Sequence, residues 1–289
     1  MKNENPIIPE FIKLGLIKKK YFEFVGYANR GKKVKVYRDK ISNLFFLEKY
    51  LISDRYYTND RTMNKNQIKK YLKMLAFDDK RRSDQFKKYL LNKSILDFGC
   101  EFGGFLKFVK NAKKKFGVEL NKNCINYLKK YSNDTIVSNN IKNIDEKFDV
   151  ITLFHVLEHL PHQKDTLIGL KKKLKKNGKI ILEVPSANDI LLSIKNLYSF
   201  KNFTFLHEHL ILHTAQSLKK ILSIAGFNRI KIIHFQRYDL SNHLGWFLKN
   251  KPGGHNYFKN LIDKKSKLNY ENYLVKNHAT DTLIAIASN

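Results

Sequence analysis

Three histidines and a glutamate stand within nine residues in FHVLEHLPH, Phe154 to His162. His155-x-x-Glu158-His159 has the H-x-x-E-H spacing of certain zinc peptidases. That chemistry needs both histidines on one continuous helix and a third ligand. The preceding FDVITLF is instead an apolar, β-branched run, so the first histidine ends a strand. We therefore expect no metal here, and read Glu158 and His159 as a pair that fixes the following turn. A second cluster, HEHLILH (207–213), offers His209 as a general base, since an imidazole with a pKa of about 6.5 is largely neutral at pH 7. The alternative for His209 is a hydrogen-bonded anchor of its loop; His207 and His213 read as structural or surface residues. A third segment, QRYDLSNHLGWFLKNKPGGHNY (236–257), gathers Arg237, Tyr238, Asn242, His243, Trp246 and His255. A long insertion of this composition reads as a lid or substrate-pocket wall. All ten histidines lie at or after position 155.

These groups need a scaffold. From Ser94 onward, short apolar runs alternate with amphipathic stretches. SILDFG (94–99), KKFGVEL (114–120), DTIVSN (134–139), KFDVITLFH (147–155) and KIILEV (179–184) read as strands. Helices are expected over 103–113, 121–131, 164–178 (stopped by Gly178) and 214–227 (capped by Thr214, stopped by Gly226). NRIKIIHF (228–235) and DTLIAIAS (281–288) complete the strands. This order predicts an α/β fold with a Rossmann-like, seven-stranded, mostly parallel, doubly wound sheet. Residues 66–92 have helical spacing, with Asp78 or Asp79 able to cap a second helix. Residues 1–65 read as a small N-terminal segment, strand-like over 34–53, with a polar break at RYYTNDRT. The domain reading is 1–65, then 66–289 with a core at 80–235, an insertion at 236–275 and a last strand at 281–288.

The first strand of the alternating region runs into LDFGCEFGG, Leu96 to Gly104. Glycine permits close backbone approach to a ligand, and the helix that follows presents free N–H groups. The glycines at 99, 103 and 104 do not fit G-x-G-x-x-G, and the Walker pattern is absent. D-x-G-x-x-x-G (Asp97, Gly99, Gly103) followed by an acidic end to the next strand (Glu119) resembles the class I S-adenosylmethionine (SAM) dependent methyltransferases. The resemblance covers roughly residues 80–185 and extends weakly to 235. It implies SAM as cofactor, with the methionine part near Asp97, Gly99 and Gly103, and the ribose on Glu119. It places Asn140 and Ile141 by the adenine, Phe154 and His155 at the cofactor's border, and Cys100 and Leu120 among the cofactor-binding residues. Glu101 replaces the middle glycine of the fuller D-x-G-x-G-x-G pattern, which puts the loop shape in question. The segments around HEHLILH and QRYDLSNHLGW…KPGGH resemble a bacterial subgroup linked to surface-polysaccharide and sugar modification. That subgroup's N-terminal zinc-binding cysteines have no counterpart here. His209, His155 and His243 are the candidate catalytic residues, and Arg237 would suit a phosphate on the acceptor.

Composition limits the alternatives. In 289 residues, 43% hydrophobic, there is apolar surface enough for a large core. Fifty-five Lys and Arg against 26 Asp and Glu give a net charge of +29, but the lysines are scattered and form no Arg-rich block. We read most of that charge as solvated faces and do not expect nucleic acid as partner. Two cysteines cannot make a disulfide framework or a cysteine zinc site. No signal peptide or membrane-length apolar run is visible, so a soluble cytoplasmic protein is expected. The leading expectation is a SAM-dependent methyltransferase acting on a sugar or nucleotide-sugar. The alternatives are an RNA or protein methyltransferase, for which the Asn/Asp-Pro-Pro-aromatic and Pro-Cys signatures are missing, and a cofactor-less binding module of the same fold.

Overall fold

A computed structural model describes residues 4–28, 33–52, 54–59 and 63–289. Among the described residues, eleven strands form two sheets. The first three strands are β1 (Phe22–Ala28), β2 (Val34–Asp39) and β3 (Phe45–Leu47). The alternating region supplies β4 (Ser94–Phe98), β5 (Lys114–Val118), β6 (Thr135–Ser138), β7 (Phe148–Phe154) and β8 (Leu174–Pro185). Then come β9 (Ile211–Leu212), β10 (Asn228–Phe235) and β11 (Thr282–Ser288). The large sheet has the order β10-β11-β8-β7-β4-β5-β6, seven strands as expected. Strands β4 to β8 pair in parallel, while β11 is antiparallel to both β8 and β10. Ile95, Leu96, Val150, Ile151, Ile180 and Ile181 are buried, because helices cover both faces of the central strands.

Strand order reverses between β4 and β7. The crevice beyond the carboxyl ends of these two strands is where open α/β sheets bind ligands. One helix, Lys65–Gln85, packs against the short helix Gly104–Phe108 that follows β4. Its start is a capping box: Asn64 accepts from the backbone of Gln67 while the Gln67 side chain accepts from the backbone of Asn64. This single helix corrects one expectation. Asp78 and Asp79 do not cap a second helix; they lie inside the first and bond to arginines. The helix after Pro161 also differs, ending at Lys172 rather than at Gly178, which lies within β8. Residues 236–257, read as a lid or pocket wall with no element assigned, contain the helix Leu240–Lys249, capped by Asp239 through Asn242 N at 3.1 Å.

The N-terminal segment and the chain beyond β8 share the smaller sheet, β1-β2-β3-β9. Strand β1 was not anticipated, and the strand-like stretch 34–53 resolves into β2 and β3. Of the polar break read at 55–62, residues up to Asn59 form the helix Asp54–Asn59, and 60–62 lie outside the described residues. Buried Asn5 joins the pieces: its side-chain amide donates to the carbonyls of Leu47 and Leu210, each at 2.9 Å. Asn5→Leu leaves both carbonyls without that donor. It is expected to lower the unfolding free energy by about 2 kcal/mol, read from urea denaturation.

Candidate active site

The turn after β4 is shaped by backbone conformation. Gly99, Glu101 and Gly103 all have positive φ, at 80°, 46° and 71°. A side chain at Gly99 would meet Val156 Cγ2 at 2.5 Å, and one at Gly103 would meet Leu128 Cδ2 at 2.6 Å. Glu101 takes the left-handed conformation that the missing glycine would favour, at a cost of about 1 kcal/mol. Its carboxylate accepts from Tyr71 Oη at 2.7 Å, and its backbone N–H donates to Glu119 at 2.9 Å. The replacement therefore keeps the turn.

Asp97 and Thr152 are register partners on β4 and β7, and Thr152 Oγ1 donates to Asp97 Oδ1 at 2.7 Å. Burial pushes the Asp97 carboxyl up to about 7, against the Thr152 hydrogen bond that favours ionisation. A buried carboxyl of this kind gains when a cationic group arrives, as the ammonium and sulfonium of SAM would. Glu119 follows β5; its two oxygens accept from the backbone N–H groups of Glu101 and Asn121 at 2.9 and 2.8 Å. Each oxygen keeps a further lone pair for a ribose hydroxyl. Leu120 is half exposed at 51%, an aliphatic surface suited to a purine ring. Asn140 caps the turn Ile141–Asn143 by accepting from Lys142 N at 2.9 Å, so its carbonyl oxygen already has one local donor. The Cys100 thiol is buried in the core, leaving only its backbone for a ligand. Phe154 is wedged against Phe86, Phe105 and the Arg82 guanidinium. These residues fit SAM as a group: two carboxylates, a turn without side-chain bulk, and an apolar edge.

Behind this crevice lies a buried charge network. Glu183, near the end of β8, is fully buried and accepts from Arg81 at 2.9 Å and Arg82 at 2.6 Å. His155 Nε2 stands 3.4 Å from Glu183, and His155 Nδ1 stands 3.2 Å from Glu158. Burial would raise the Glu183 carboxyl, but the hydrogen bond from His155 and the two guanidiniums hold it well below the usual range. Burial would likewise lower His155, yet its bonds to Glu158 and Glu183 leave it raised. His155, itself at a positive φ of 54°, thus serves both carboxylates as a donor. Arg237 bonds to Asp78 and, through Nη1, lies 3.1 Å from His155. Its backbone N–H donates to Asp281 at 3.0 Å. Arg237, read from sequence as a partner for an acceptor phosphate, is committed to these internal contacts instead.

The histidine clusters come together only in part. His159 and His209 rings meet edge to face with centroids 4.8 Å apart. Glu158 lies beside them, and candidate ligand atoms of the three fall within 4.8 Å of one another. Burial would raise the Glu158 carboxyl; the hydrogen bond from His155 and the nearby histidines bring it to about 2. Tyr57 borders His159, and Tyr56 borders His207, with ring centroids at 6.4 and 5.6 Å. His243 stands elsewhere: it is buried among the C-terminal helices, with Tyr270 Oη at 2.8 Å and Gln236 Nε2 at 3.2 Å. Burial lowers it to about 4, so it is neutral. His213 is also structural, buried on Ser217 at 3.1 Å. The sequence reading missed Thr152, Tyr56, Tyr57 and the Arg81–Arg82–Glu183 network. The signal for the network was an acidic residue inside the otherwise apolar KIILEV.

Fold and crevice together define a nucleotide-type cofactor domain. Residues 62–232 match the model of the Methyltransferase domain family, and the chain belongs to that family. It is a SAM-dependent methyltransferase. A comparison with curated proteins gives no match. Among solved structures, the chain is similar to a SAM-dependent methyltransferase from Archaeoglobus fulgidus, with 22% identity and a TM-score of 0.52, covering 74% of this chain and 94% of that one. It is also similar to a SAM-dependent methyltransferase from Thermotoga maritima described as a possible histamine N-methyltransferase. There the identity is 14% and the TM-score 0.50, over 77% of this chain and 94% of the other. At these identities the likeness speaks for the fold. Among the described residues, no helix is long and apolar enough to cross a membrane.

Two outcomes are expected for the cofactor side. Because cation binding favours ionised Asp97, SAM affinity measured by calorimetry should fall as pH drops through about 7, approaching tenfold per unit, with proton uptake into SAM-free protein. Gly99→Ala, which forces a Cβ against Val156 at a positive φ, should weaken SAM binding by more than tenfold.

Proposed function

We propose that this methyltransferase acts on a small hydroxyl-bearing acceptor, a sugar or nucleotide-sugar of surface-glycan synthesis, with His209 as the general base. The observation that carries the reading is the convergence of Glu158, His159 and His209 in and beside the turn after β7, whose Val156 borders Gly99 of the cofactor turn. When bound, SAM supplies an electrophilic methyl group on a positively charged sulfur. The chain must then position the acceptor and receive its proton. Asp97, Glu119 and the glycine turn hold the cofactor end. His209 and His159 face the acceptor end, with anionic Glu158 behind them to stabilise an imidazolium once the proton has moved. His155 donates to two carboxylates and so orients Glu158. His243, neutral and held by Tyr270 and Gln236, supports the packing of the C-terminal helices.

The surroundings favour a compact acceptor. The small sheet meets the turn after β7 next to β9, where Leu210 N donates to the Glu158 carbonyl at 2.9 Å. Tyrosine rings rather than a basic groove line the histidines, and sugars pack well on aromatic faces. The reading implies a cytoplasmic enzyme, where SAM and nucleotide-sugars are both supplied.

Labelled SAM incubated with a panel of sugars and nucleotide-sugars tests the proposal. Transfer to a member of the panel is expected, and His209→Gln should lower kcat about 100-fold or more while SAM affinity stays within twofold. Transfer to RNA or protein acceptors instead, weakening with salt in the RNA case, would replace this acceptor class.

A further inference from the structure

We propose that Glu158, His159 and His209 form a binding site for a first-row divalent metal ion such as zinc, through one carboxylate and two imidazoles. The pattern that the sequence offers as H-x-x-E-H does not supply this set. His155 is engaged at both nitrogens by Glu158, Glu183 and Arg237, and drops out. His209 arrives from the loop before β9 in its place.

Three observations carry the proposal. The first is proximity: one candidate ligand atom from each residue lies within 4.8 Å of the other two. Donors around a tetrahedral zinc, at bond lengths of about 2.0–2.1 Å, sit about 3.3 Å apart, so the half-buried histidines must close in by up to about 1.5 Å. The second is an unsatisfied carboxylate oxygen. Glu158 is fully buried, Oε1 is bonded by His155, and Oε2 has no hydrogen-bond partner among the described residues. A buried anionic oxygen without a donor is costly unless a cation completes it. The third is the tautomer of His159. Its Nδ1 lies 3.0 Å from the Glu208 carbonyl, which can only accept, so the proton sits on Nδ1 and Nε2 carries the lone pair. A backbone carbonyl on the far nitrogen is the arrangement that orients a metal-bound imidazole.

Two nitrogens and one carboxylate oxygen suit zinc, cobalt and nickel better than magnesium or calcium. Three protein ligands leave one tetrahedral position to water. The ion and the proposed proton transfer would use the same lone pair on His209, so metal and catalysis compete there. That competition rests on the functional reading above; the metal site does not.

The test needs no acceptor. Equilibrium dialysis with zinc, and visible spectra with cobalt(II), are measured on the full chain and on Glu158→Gln, His159→Gln and His209→Gln, with SAM binding as the check on folding. One zinc per chain is expected, with tetrahedral cobalt bands, and binding at least tenfold weaker in each variant that still binds SAM. If Glu158→Gln loses SAM binding, the two histidine variants decide. Absence of zinc uptake, or uptake unchanged in the histidine variants, overturns the site. A failed acceptor screen leaves this result untouched, and the converse also holds.

Discussion

A single buried carboxylate, Glu183, ties together the parts of the site that come from distant stretches of chain. Ionised and shielded from water at the end of β8, it is tenable only because Arg81 and Arg82 reach it from the helix Lys65–Gln85 and His155 reaches it from the turn after β7. Removing one partner from such a set costs about 3–5 kcal/mol, because the remaining charges are left unpaired. The network therefore fixes the helix over the crevice. Through Arg237 it also fixes the start of the C-terminal insertion, since Arg237 joins Asp78, His155 and Asp281.

The two halves of the site are built on different physics. The cofactor half relies on backbone: positive-φ turns, N–H groups on Glu119, and a strand pair that sets Asp97 against Thr152. Such a surface is rigid and preorganised. The proposed acceptor half is made of side chains from three segments, namely the turn after β7, the helix Asp54–Asn59 and the loop before β9. It depends on their packing through the small sheet and on Asn5, which bridges β3 and the loop before β9. A site of this kind can change its acceptor without disturbing the cofactor, since few residues are shared. Glu158 and His155 are the link between the halves.

Legibility in the sequence followed the range of the interactions. The central strands β4 and β7 and the latter half of β8 announced themselves, because a buried parallel strand must be a largely unbroken apolar run whatever its neighbours. The turn at Gly99 to Gly103 was equally plain except at Glu101, where only the structure shows a left-handed backbone holding the place of a glycine. Helix ends were harder. Asp78 and Asp79 looked like caps, and only the nearby arginines explain why they stay inside a helix. Asp239 caps a helix whose buried side, Ser241, Asn242, His243, Gly245 and Trp246, is largely polar or small, while Phe247 and Leu248 stay exposed. The tiny strand β9 has two residues and carried no periodic signal at all.

The chain's own order of residues thus determined the central sheet, the cofactor turn and the acidic partner on the second strand. Each of these depends on contacts within a few residues or on a repeating pattern of burial. Tertiary structure alone decided which histidines meet, that His155 donates to two carboxylates, and that Arg237 is spent on Asp78. Those outcomes depend on charges brought together from distant segments and stripped of water, where the partner rather than the residue type sets protonation and role.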